Sequence, residues 1–176
     1  MGLGFIAELV QLAASLAVVA TLIFVGLQVR QSTIAHRATA LQMNADYWQT
    51  HLATLAERGN SAVYAKGASG REPLSSEEFG RFFLLCRATF MGCENQHYQF
   101  RVGLINSAAY AGYEMTIREQ IAAFPGIRAM WSLVRHSYGK DFAAFMDAQI
   151  TREAVHQRSS AHERWSGLVA SETVTP

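Results

Sequence analysis

From Leu9 to Val29 the chain runs for 21 residues without a charged side chain. At about 1.5 Å of rise per residue, a helix of that length covers the roughly 30 Å hydrocarbon core of a bilayer. The centre of the run, Leu16 to Leu27, holds one polar residue, Thr21. A helical threonine can return its hydroxyl to its own backbone, so it does not break a span. Apolar runs in buried core helices are usually about 10 to 14 residues long, which favours a membrane-spanning helix over a core helix. The run also explains the composition, in which 16% of residues are charged against about 25% in an average soluble domain.

The flanks predict how this segment sits. Met1 to Glu8 contains no Lys or Arg, and Gly26-Leu27-Gln28 offers no small-x-small cleavage site, so the segment is expected to stay attached. Arg30 and Arg37 follow the run and no basic residue precedes it, which predicts a cytoplasmic carboxyl side. Cys86 and Cys93 are two turns apart on one helix, too far for a disulfide, and two free thiols suit a reducing compartment. The net charge of +1 gives no electrostatic footprint for a phosphate backbone, so nucleic acid is not an expected partner.

Beyond Arg30 no Gly or Pro occurs before Gly59, so one helix is expected from about Phe5 to Glu57. Ile34, Ala38, Leu41, Ala45, Trp48, Leu52 and Leu55 repeat at steps of four and three, a heptad seam. Two occupants fit it: the chain's own helix over residues 79–100, or another spanning protein. Ala13, Ala17 and Thr21 add a small-residue ladder in the span that lets a second helix approach.

A short helical turn is expected around Ser61 to Lys66 and a loop over Gly67 to Pro73. Ser75 with Glu78 three residues on forms a capping-box signature. It opens a helix to about Val102 with Phe79, Phe83, Cys86, Phe90, Cys93, His97 and Phe100 in heptad register. Arg87, Glu94 and the polar residues after it make this helix a poor second span. A third helix is expected over Ser107 to Phe124, broken at Pro125-Gly126, then a short fourth around Ile127 to Val134 and a fifth from Phe142. No window alternates with period two, so the class is all-α, a long amino-terminal transmembrane helix continuing into a cytoplasmic helical bundle. The expected organisation is a tail and span over 1–30, a helical domain over 31–157, and a polar, fraying tail over 158–176.

Residues 22–31, Leu-Ile-Phe-Val-Gly-Leu-Gln-Val-Arg-Gln, carry a resemblance together with Glu94-Asn95, Tyr98-Gln99, Gly103-Leu104, Pro125-Gly126, Arg128 and Trp131. On these the chain resembles a bacterial family of small single-span membrane proteins of unassigned function with a helical cytoplasmic domain. The resemblance implies an anchored helical domain in the bacterial inner membrane. It implies no reaction and no catalytic residues.

Chemistry is signalled most clearly by two Glu-x-x-His motifs, Glu94 with His97 and Glu153 with His156, each pairing carboxylate and imidazole on one helix face. Di-iron bundles use such a pair plus one Glu from each of two further helices, and Glu57 with Glu114 or Glu119 fall in the right chain order. About 0.4 such motifs are expected by chance at this composition, and the surroundings of Glu153 are polar where a metal site needs a dry wall. Glu94 alone reads as a structural carboxylate satisfied by an arginine or a backbone group. Cys86, Cys93 and His97 could ligate a soft metal, but they lie in a phenylalanine stripe and read as core. Trp48, Trp131 and Trp165 could line an apolar pocket, yet their helical spacing favours packing. No phosphate loop, Gly-x-Ser-x-Gly elbow or His-Glu-x-x-His occurs. No metal, cofactor or catalytic residue is therefore assigned. The expected function is a membrane-anchored, non-enzymatic interaction protein, a homo-oligomer or an accessory subunit that pairs with other integral membrane proteins. The alternative is an anchored di-iron bundle with redox activity.

Overall fold

A computed structural model describes residues 2–152 and 161–173. All secondary structure among them is helical: α1 Leu3–Ala56, α2 Asn60–Ser69, α3 Ser76–Arg101, α4 Ser107–Thr116, α5 Pro125–Val134, α6 Lys140–Arg152 and α7 Ala161–Thr173. The chain divides into two units, Met1–Ala45 and Asp46–Pro176.

The first unit is the apolar part of α1. Its uncharged run has a mean hydropathy of 2.3 over its 18-residue window, with none of that window buried. Thr21 donates its hydroxyl to the Ala17 carbonyl at 2.8 Å and Ser15 donates to the Gln11 carbonyl at 2.9 Å, so both hydroxyls in the run are satisfied within the helix.

The second unit has its core where α3, α5 and α6 meet. Cys86, Phe90 and Cys93 of α3, Ile127, Met130, Trp131 and Val134 of α5, and Phe142, Ala143 and Met146 of α6 form one buried cluster. Trp131 is its hub. Its ring stands edge-on to Phe90 at 5.2 Å and to Phe142 at 5.7 Å, and its indole N–H donates to Asp147 at 2.9 Å. A buried indole needs such a partner, so Asp147 lets the large ring sit inside. The Arg135 guanidinium hydrogen-bonds the same carboxylate and holds it below the usual range for aspartate.

Helix boundaries follow local chemistry. The Ser75 hydroxyl accepts the Glu78 N–H at 3.2 Å, and the Glu78 carboxylate accepts the Ser75 N–H at 2.8 Å, completing the expected capping box. Lys66 reaches the same carboxylate at 2.9 Å and ties α2 to the start of α3. Asn106 caps α4, and Pro125 occupies the first turn of α5.

Four expectations change. The loop placed at Gly67 to Pro73 begins later, because α2 runs through Gly67 to Ser69 and ends at Gly70, whose φ of 62° is the left-handed conformation. Gly67 is there for space: an added Cβ would sit 2.6 Å from the Phe82 ring. The single helix expected over Ser107 to Phe124 becomes α4 followed by a π-helical stretch, Ile117–Ala122. The wider turn puts Ile117, Ile121 and Ala122 all in the core, while Phe124 turns outward ahead of Pro125 in extended geometry. The tail expected to fray from Arg158 is helical over α7, where Trp165, Leu168 and Val169 recur at one-turn spacing. Finally, the chain covers only the end of the seam read along α1, where Trp48 and Leu55 are half-buried. Ile34, Ala38, Leu41 and Ala45 are exposed in the first unit, where Ala40 and Asn44 are buried. In the second unit Leu52 is 60% exposed and His51 is buried.

Candidate functional site

Within the second unit, the α1 segment from Asp46 onward is held against α3 by polar contacts. The Tyr47 hydroxyl donates to the Ala88 carbonyl, and Trp48 packs near Gly92 and against the Tyr113 ring at 6.4 Å. His51 Nε2 lies 2.9 Å from Thr89 Oγ1, whose own hydroxyl donates to the Leu85 carbonyl at 3.0 Å. When the Thr89 hydroxyl donates to Leu85, its oxygen accepts from the Nε2–H tautomer of His51. Burial lowers the His51 pKa from its usual value and keeps the ring neutral.

The Glu-x-x-His motif on α3 is spoken for by structure. Glu94 accepts the Gly139 N–H at 2.7 Å, a backbone group at the start of α6, where the carboxylate also faces the positive end of that helix. His97 hydrogen-bonds the Tyr110 hydroxyl through Nδ1 at 2.6 Å and stacks on Phe145 at 4.6 Å. Burial lowers its pKa, Arg101 adds to the effect and Asp141 opposes it. Glu114 accepts from the buried Gln149 amide at 2.9 Å. Glu57 and Glu119 are exposed. Among the described residues no three of His, Cys, Asp or Glu gather as a metal-ligand group. Glu153 and His156 lie outside the described residues. Cys86 and Cys93 are free and buried, and desolvation pushes both thiols up to about 12, where the nucleophilic thiolate is scarce at neutral pH.

What the structure leaves open is apolar surface. In the first unit Ile34 is 59% exposed and Leu41 48%. On α3 and its C-cap, Leu84, Met91, Tyr98 and Val102 are all exposed, on the side away from the Phe90 and Cys93 core face. With Ala88 and Asn95 between them they follow steps of four and three, a second heptad stripe beside the core-facing one. The α3 stripe was legible in the sequence, but the phenylalanine register on the same helix is stronger and masks it. Single exposed apolar residues are ordinary, whereas aligned ones mark contact surfaces. The arrangement can bind helices or lipid. Comparison of the chain with protein-family models, with curated proteins and with solved structures finds no match.

Proposed function

We propose that the chain is a membrane-anchored helical interaction protein that works by binding rather than by catalysis. The observation that supports this most is the state of Leu9 to Val29: every one of these residues is exposed. Leaving such a surface in water forfeits on the order of 1.5 to 3 kcal/mol for each large side chain, far more than a domain of this size gains on folding. A bilayer removes that penalty. In the arrangement expected from Arg30 and Arg37, the chain crosses a bacterial inner membrane once and presents the second unit to the cytoplasm. There the exposed heptad stripes offer contact to another copy or to another integral membrane protein.

The test is Val19→Arg. An arginine at the middle of the span costs about 2.5 to 3.5 kcal/mol even on the lenient insertion scale, so the variant should be lost from alkali-washed membranes. Normal retention would overturn the anchor. A reporter active only in the cytoplasm, fused after Pro176, should be active, and a silent one beside an active periplasmic reporter would reverse the orientation.

A further inference from the structure

We infer that the partner of α1 is a second copy of the same chain, laid parallel and in register along one continuous seam. This rests on the anchored reading and names its partner. The seam noted beyond the span does not begin at Ile34. Followed back at the same steps of three and four it passes through Gln31, Leu27, Phe24, Ala20, Ala17, Ala13, Val10 and Ile6. From Ile6 to Ala45 the register never breaks, Gln31 is its one polar member, and α1 is helical throughout, a rod of about 60 Å. Each other heptad register of residues 30–55 places at least two polar or charged residues on the seam. All the seam residues from Ile6 to Ala45 are exposed.

Three features select the occupant. A partner matching the whole seam has to cross the bilayer in the same direction and then continue as an equally long helix, which a second copy does without any shift. Small residues in the amino-terminal half of the span, Ala13, Ala17 and Ala20, permit close approach, and Phe24, Leu27, Ile34 and Leu41 fill the seam beyond them. The flanking positions raise no like-charge conflict in a parallel pair, since Arg30 meets Ala35 of the other copy and Arg37 meets Gln42. Gln31 then meets its own counterpart, and a lone polar residue in such a seam defines register because any slip leaves it facing an apolar side chain. Past Ala45 the seam yields to the second unit, where Trp48 is engaged by Tyr113.

Cross-linking through one introduced cysteine at a time, in the full chain in native membranes, tests this. Ile34→Cys and Ala38→Cys place thiols on the seam, while His36→Cys and Met43→Cys place them on the opposite face. The native Cys86 and Cys93 are buried and supply a silent background. Mild oxidation should give a product of twice the 19.4 kDa chain mass at the two seam positions, on the order of tenfold more than at 36 and 43, because a disulfide needs Cβ atoms about 4 Å apart. Equal yields on both faces would overturn the pairing, as would a product of any other mass. So would no product at 34 and 38 from protein that survives an alkaline wash, and the anchor would then still stand. Loss of the wild-type chain in that wash removes the anchor and the pairing together.

Discussion

Where α2 crosses α5, the two backbones touch through Gly67 and Gly126. A Cβ built on Gly126 collides with the Gly67 carbonyl oxygen and lies 2.9 Å from its carbon and 3.0 Å from the Ala68 oxygen. An ordinary van der Waals contact needs about 3.5 Å. Since every obstructing atom is backbone, no rotamer change relieves the overlap, and Gly126→Ala must push α5 away from α2. Ala68, Phe82 and Ile127 belong to the buried cluster beside that crossing and would loosen with it. Over-packing costs about 1 to 3 kcal/mol where side chains can adjust, and this case should reach at least about 3 kcal/mol. Gly112 and Gly80 are the controls: both are exposed in helices, and a Cβ there meets nothing within 4 Å. Gly112→Ala and Gly80→Ala should each gain about 0.5 to 1 kcal/mol from helix propensity. The same chemical change is thus expected to act with opposite sign at different positions. Urea unfolding of the full chain in mild detergent, followed by helical circular dichroism, reads the difference. With a slope of about 1 to 3 kcal/mol per molar urea, the Gly126→Ala midpoint should fall by at least about 1 M while the controls rise. A Gly126→Ala midpoint at or above that of the parent chain would refute the backbone contact and the helix crossing built on it.

Stability should fall as pH drops below about 6.5, the unfolded histidine value. His51 and His97 both have folded pKa values below that, so between the two the unfolded chain binds more protons and is favoured. A His51→Gln variant should show a shallower pH dependence over that window in the same unfolding assay, and an unchanged slope would count against a buried neutral His51. Glu94→Gln keeps an acceptor for the Gly139 N–H but loses the charge at the start of α6, so it should cost about 0.5 to 1 kcal/mol, and Glu94→Ala about 1 to 2. Equal losses in the two variants would show that the charge, and not the hydrogen bond, dominates there.

Much of the fold could be read from the chain before any coordinates. The capping box at Ser75 and Glu78 and the stop at Pro125 are set by contacts within a few residues of one another, and the length of α1 and the core register Cys86, Phe90, Cys93 are written in spacing, all of which local pattern reports directly. The partner of Glu94 was legible only as a type, a backbone group or an arginine. That it is Gly139 depends on how α3 and α6 pack, 45 residues apart in sequence.

Periodicity by itself determined that α1 carries an apolar seam and that α3 carries an aromatic one, because spacing alone decides which residues share a helix face. Only the tertiary structure decided which faces the chain covers. Asn44 and His51 are buried on α1 while Ile34, Leu41 and Leu52 remain exposed, a choice against hydrophobicity that no local pattern could reveal. At His51 the physical reason is specific: Thr89 Oγ1 lies 2.9 Å from Nε2 and satisfies the buried imidazole, so that polar residue enters the interface beside Trp48 while Leu52 is left outside.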